Sequence, residues 1–163
     1  GDLISKLRDA ASLSLEGPEA AAKMIDILTD EDATVRYWAS VGLGNNAKQI
    51  PASQKDKAVV GLRVCLKDES ENVRVAAARA LCHMDLAKEA LPVLVEVLDD
   101  GTQWARVHAA NVLDEINDQA RPVIAAMKRN KAYRKGLVAE GKYTVRVLNR
   151  ALNELEGTNN TVK

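Results

Sequence analysis

The stretch LTDEDATVRYWASVGL, residues 28–43, decides how this chain folds, because it returns as LKDESENVRVAAARAL at 66–81 and as LDDGTQWARVHAANVL at 98–113. Counting from the first Leu of each copy, Asp follows two residues later, Arg eight, Ala eleven and Leu fifteen. The three sets are Leu28, Asp30, Arg36, Ala39, Leu43; Leu66, Asp68, Arg74, Ala77, Leu81; and Leu98, Asp100, Arg106, Ala109, Leu113. The copies lie 38 and 32 residues apart. Self-similarity at such a period marks stacked units, none of which can bury its apolar face alone. Worn copies flank them: Leu7-Arg8, Ala11 and Leu15 on one side, and Val145-Arg146 on the other, with Asn149 where Ala is expected.

Each unit reads as two helices, A then B. Helix B carries the Arg. Its apolar residues in the first copy are Val35, Trp38, Ala39, Gly42 and Leu43, spaced i, i+3, i+4, i+7, i+8 as one face of a helix. The later copies give Val73, Ala76, Ala77, Ala80, Leu81 and Ala105, His108, Ala109, Val112, Leu113. Helix A is expected over 18–28, about 52–66, about 87–98 and about 119–128. Gly17-Pro18 puts Pro at a helix start, and Pro92 and Pro122 should start or bend later A helices. The A-to-B turns are acidic (Asp30-Glu31-Asp32, Asp68-Glu69, Asp99-Asp100), which suits the positive end of the helix B dipole. The expectation is an all-α, right-handed superhelical stack of about four to five helix pairs. Repeat cores fall near 3–15, 18–45, 52–84, 87–116 and 118–156 of one domain, 1–156, with a polar, frayed tail at 157–163.

Composition agrees. Of 163 residues, 47% are apolar, chiefly Ala, Leu and Val with no Phe, which suits closely packed helices. The 23 basic and 23 acidic residues cancel, so no general attraction to nucleic acid or an anionic membrane is expected. No apolar run approaches a membrane span. The chain starts Gly-Asp rather than with Met, which looks like a tag scar on an excised fragment, and no signal peptide is visible.

Several residues invite a functional reading. Gly42-Leu43-Gly44-Asn45-Asn46-Ala47 matches a dinucleotide pattern on paper but ends a helix, whereas a phosphate loop must open one. Gly44 and Asn45 are read instead as a C-cap with positive φ. Trp38 shares a template position with Ala76 and His108, so it either fills core space or, with Tyr37, anchors another domain. Trp104 either caps the core edge or marks a contact surface. His83 and His108 have no partner at metal-ligand spacing, so no metal or other cofactor is expected. Cys65 and Cys82 lie near opposite ends of their unit and are expected as free, buried thiols. Between 128 and 150, Lys128, Arg129, Lys131, Arg134, Lys135, Lys142, Arg146 and Arg150 face Glu140 alone, with Tyr133 and Tyr143 interleaved. That is either a solvated face or an anion patch for a sulfated glycan, an acidic partner or nucleic acid, and overall neutrality argues against the last. No nucleophile has a base at usable spacing.

The Leu-x-Asp-x-x-x-x-Val-Arg-x-x-Ala-x-x-x-Leu pattern resembles HEAT repeats. That resemblance implies an armadillo-type α-solenoid with an Asp/Arg ladder, joining Asp30, Asp68 and Asp100 to Arg36, Arg74 and Arg106 within or across units. Val35 to Gly44, Asp68 to Leu81 and Gly141 to Arg146 are similar to the helical-repeat tail of some bacterial sulfatases. This implies a non-catalytic C-terminal module of a larger exported enzyme, periplasmic or extracellular, docked through Tyr37, Trp38 and Trp104. Sulfatases use a Cys/Ser-x-Pro/Ala-x-Arg motif, converted to formylglycine, and a calcium site. Neither Cys65-Leu66-Lys67 nor Cys82-His83-Met84 fits, so both would belong to a catalytic domain upstream. A free-standing scaffold binding protein or anionic polymer through 128–150 is the alternative.

Overall fold

In a computed structural model of the chain, residues 3–13, 20–131, 133 and 142–161 are described. Their helices are α1 (Leu3–Leu13), α2 (Ala21–Asp26, prolonged by a 3-10 turn, Ile27–Thr29), α3 (Ala33–Asn45), α4 (Ala52–Cys65), α5 (Glu71–His83), α6 (Ala87–Asp100), α7 (Gln103–Glu115), α8 (Ile124–Arg129) and α9 (Lys142–Glu156). Short 3-10 segments occupy Ala47–Gln49 and Asn117–Val123. Among the described residues there is no strand, and the fold is an all-α array of repeated helix pairs. Contacts divide it into two compact units, residues 1–86 and 87–163. Pro18 lies outside the described residues.

In the first unit α3 and α5 are the B helices, and they pack against each other and against α2 and α4. Their buried residues keep the template's spacing: Val35, Ala39 and Leu43 on α3, Val73, Ala77 and Leu81 on α5. Met24, Leu28, Ala58 and Leu62 from the A helices complete this core. Helix α3 starts where Asp32 Oδ1 accepts the Thr34 N–H at 2.7 Å, which satisfies an otherwise orphaned donor.

The α3 C-terminus corrects the sequence expectation. Neither Gly44 nor Asn45 has positive φ; the helix runs through Asn45, and Asn46 (φ −106°) is the cap. The Asn46 side-chain amide closes it by donating to the Gly42 carbonyl at 2.9 Å. Gly44 is needed for another reason: it is buried, and a Cβ there would meet Ala80 Cα of α5 at 3.1 Å. A methyl there would force Ala80 back by a few tenths of an ångström, so the missing side chain favours the close approach of the two B helices. Positive φ appears instead at Asp85 (64°), after α5. There Leu86 N–H reaches Leu81 O at 2.9 Å and Asp85 N–H reaches Cys82 O at 3.1 Å, the two bonds of a Schellman ending.

In the second unit α7 packs on α6 and α9. Leu94, Leu98, Ala105, Ala109, Leu113, Met127, Leu148 and Leu152 are buried. Pro92 lies inside α6, not at its start. Pro122 lies in the 3-10 segment, so the chain turns α-helical only at Ile124. Buried Asn130 ties the end of α8 to α6 by donating to the Leu98 carbonyl at 3.1 Å. The tail is less loose than expected over 157–161. Thr158 N–H bonds Asn153 O at 2.9 Å, and the Asn149 and Asn153 amides both donate to Asn160 O.

Candidate functional site

The acidic turns and the repeated arginines form one device in the first unit. Asp68 turns its own loop by accepting the Ser70 N–H on Oδ1 at 2.9 Å. The same carboxylate takes both arms of Arg36 from the preceding repeat, Nε to Oδ2 at 2.7 Å and Nη2 to Oδ1 at 2.9 Å. Arg36 Nη1 holds its own turn through the carbonyls of Asp30 (2.8 Å) and Glu31 (3.0 Å). The side chains are 12% and 8% exposed, so this is a nearly buried, bidentate pair. Burial works to raise the Asp68 carboxyl, but the hydrogen bonds from Arg36 and Ser70 and the nearby positive charges outweigh it and hold it below its usual value.

Asp30 has the same loop bond, to Asp32 N–H at 2.9 Å, but its cation is Lys6 at 2.8 Å. Arg8, which the flanking copy aligns with Arg36, instead lies near Ser5 and Asp9. Helix α1 therefore meets the first repeat in a register different from that of the repeats themselves. Arg74 grips the Asp68 carbonyl at 2.9 Å, repeating the turn contact of Arg36. In the second unit Asp100 is exposed and Arg106 half-buried, and no ion pair joins them among the described residues.

Tyr37 and Trp38 form an edge-to-face pair, with centroids 5.4 Å apart and planes at 73°. Both are half-buried, unlike Ala76 at the Trp38 template position, which is fully buried. They line a groove of about 400 Å³ with Ala33, Thr34, Ser70 and Asn72, where the first turns of α3 and α5 adjoin. The indole is thus at the core's margin and lines an open concavity. Trp104, in the second unit, is 77% exposed.

The basic segment is partly neutralised by acids from outside it. Lys128 pairs with Glu156, and Arg150 with Asp114. Arg129, Lys131 and Arg146 are exposed. Arg134 and Lys135 lie outside the described residues, as does the Lys142 side chain. Cys65 and Cys82 are buried and not joined in a disulfide. Burial pushes the Cys65 thiol up to about 11, and its Sγ lies 3.7 Å from the Leu28 carbonyl. His83 and His108 sit in different units. Among the described residues, no cluster of His, Cys, Asp and Glu could hold a metal, and no helix is long and apolar enough to cross a membrane.

Sequence reasoning missed a second concavity, in the second unit. It measures about 730 Å³ and is lined by Leu91, Pro92, Val95, Pro122, Val123 and Ala126, among others. Its only signal was the pair of prolines, read as helix punctuation. Both proline rings stand among its lining, on neighbouring A-type segments.

Comparison with known proteins bears on what such an array is. No curated protein matches the chain. The model of the family described as HEAT repeats matches residues 59–140, half of the chain, from within α4 onward. Helix pairs repeating at 32 and 38 residues, with an arginine on each B helix, agree with that match. HEAT repeats are interaction modules and generally carry no catalysis, and this chain belongs to the HEAT-repeat family.

Proposed function

We propose that the chain is a non-catalytic docking module whose working face is the groove beside Tyr37 and Trp38, with Trp104 as a further anchor in the second unit. The observation that supports this is the position of Trp38. At a template position filled by buried Ala76 in the next copy and by half-buried His108 in the third, the chain carries its largest side-chain type and lines an open groove with it. Tyr and Trp are the residue types that anchor interfaces. Photo-crosslinking tests the reading in the longest protein that contains this chain. Probes at Thr34 and Asn72 should label one identified domain or protein, and Trp38→Ala should abolish the label. Equal labelling from a probe at Glu96 would overturn it.

The partner to which the resemblance points is a sulfatase catalytic domain, with residues 35–44 and 68–81 as support. The module would then extend an exported sulfohydrolase and supply none of its catalytic groups; calcium and formylglycine would belong to the partner. The adjoining coding sequence tests this. A Cys/Ser-x-Pro/Ala-x-Arg motif is expected in the same frame, and its absence removes the sulfatase association while leaving the docking face intact. The competing scaffold for a sulfated glycan or other anionic polymer has exposed Arg129, Lys131 and Arg146 in its support. Heparin affinity lost on Arg129→Glu and Lys131→Glu would favour it, and salt-insensitive or absent binding would remove it.

A further inference from the structure

Resting on the reading of that groove as a docking face, we infer that its occupant is a proline-rich segment of a partner protein, bound as a polyproline II helix. The groove offers rings and hydrogen-bond donors without charge. Tyr37 and Trp38 supply the rings, and the polar side chains beside them, Thr34, Ser70 and Asn72, are all uncharged. The Thr34 and Ser70 loop bonds are made by their backbone N–H groups, and Ser70 makes no side-chain bond to its own helix. Among the described residues, nothing accepts from the Trp38 indole N–H or pairs with the Asn72 amide. Helices α3 and α5 both start here, and a first turn carries backbone N–H groups with no intrahelical acceptor. Hydroxyls and an amide can also accept, but an indole N–H and a helix start only donate.

Donors alone would suit an anion, and the surrounding charge removes that choice. The two turns carry Asp30, Glu31, Asp32, Asp68, Glu69 and Glu71, of which Glu71 has a partner of its own. Lys6, Arg36, Lys67 and Arg74 stand against the other five, and the two helix N-termini add about half a positive charge each. The margin is therefore close to neutral, and neither an acidic nor a basic segment gains from it. What complements a neutral groove rich in donors is an uncharged acceptor, the carbonyl. A polyproline II helix leaves every carbonyl open, because it has no internal hydrogen bonds. Its prolines bring no N–H to strand against the donors, and they lay apolar rings on the indole and phenol. An ordinary extended segment would instead bring an N–H at each residue to sites that only donate.

The test uses the full chain, with decaproline, an alternating glycine–serine decapeptide and maltohexaose as probes in calorimetry. Decaproline should bind saturably with an affinity that salt does not change, and the other two should not bind. Trp38 and Trp104 each give an indole N–H signal in a nitrogen–proton NMR spectrum, and Trp38→Phe shows which is which. Decaproline should move the Trp38 signal downfield, as a donor that gains a carbonyl. Asn72→Ala should weaken decaproline about two- to tenfold, the range for one lost hydrogen bond. Trp38→Ala should weaken it about fivefold or more, since ring contact and indole donor go together. Equal affinity for the glycine–serine peptide, preference for maltohexaose, or affinity that falls as salt rises overturns the inference. So does a Trp38 indole signal that stays in place, indifference to either alanine variant, or a failure of every probe to bind. If Thr34 and Asn72 still crosslink a partner in a Trp38-dependent way, the docking face survives and only its proline-rich occupant falls.

Discussion

Replacing Asp68 with Asn tests the joint between successive repeats at its most loaded point. The substitution keeps the shape and can keep the Ser70 loop bond, but it removes the charge that takes Arg36 through two bonds of 2.7 and 2.9 Å. Removing one partner of a buried ion pair costs about 3–5 kcal/mol. Here Arg36 retains the carbonyls of Asp30 and Glu31, and Glu69 lies 3.9 Å from its Nη2, so the expected loss is smaller, about 2–3 kcal/mol. The pH dependence has a definite sign. Burial alone would raise the Asp68 carboxyl; Arg36 and the loop N–H more than offset this, so its folded pKa is depressed. The stabilisation is therefore complete above the unfolded carboxyl value, near pH 4, and is lost as pH falls through the lower folded one. Urea unfolding followed by Trp38 fluorescence in the Trp104→Phe background places the reporter in the first unit, because Trp104 belongs to the second. The gap between parent and Asp68→Asn should be about 2–3 kcal/mol at pH 7 and shrink steadily as the pH is taken below the unfolded carboxyl value. A gap that stays constant into acid, or one below about 0.5 kcal/mol at neutral pH, would refute the role given to this pair.

Three further outcomes are expected. Gly44→Ala gains about 1 kcal/mol of helix propensity, but its Cβ would sit 3.1 Å from the Ala80 backbone, and overpacking costs about 1–3 kcal/mol. The first unit should lose stability in urea, and a gain would contradict the close approach of α3 and α5. Asp85→Gly relieves a left-handed residue at φ 64° and should raise the denaturation midpoint by the equivalent of about 0.5–1 kcal/mol; a loss would mean that the Asp85 side chain, not its backbone, ends α5. Cys65 and Cys82 should resist a thiol reagent at pH 8 and react on unfolding. Cys65, raised to about 11 and buried, is the more telling of the two. Labelling of Cys65 in the folded protein at pH 8, followed by mass spectrometry, would contradict that burial.

The helices were legible because apolar periodicity and a repeat of 32 to 38 residues act locally and redundantly. Leu, Val and Ala at the template positions had to face inward wherever the neighbouring pair lay. The groove was less legible. Tyr37 and Trp38 stood out by type, but periodicity counts an indole as apolar and cannot say whether the space before it is filled. Gly44 misled for a similar reason: a glycine near a helix end fits a cap, and only the partner helix shows that its missing side chain makes room for Ala80.

By itself, then, the sequence determined the all-α class, the helix-pair repeat and the inward faces, because each follows from spacing along one chain. Tertiary structure alone decided that Arg36 takes Asp68 across repeats while Lys6 takes Asp30, and that Trp38 borders an open groove. Those outcomes depend on the offset between helices distant in sequence, and every copy carries an aspartate six residues before its arginine. The pattern supplies the donors and acceptors, and the stacking register selects which of them meet.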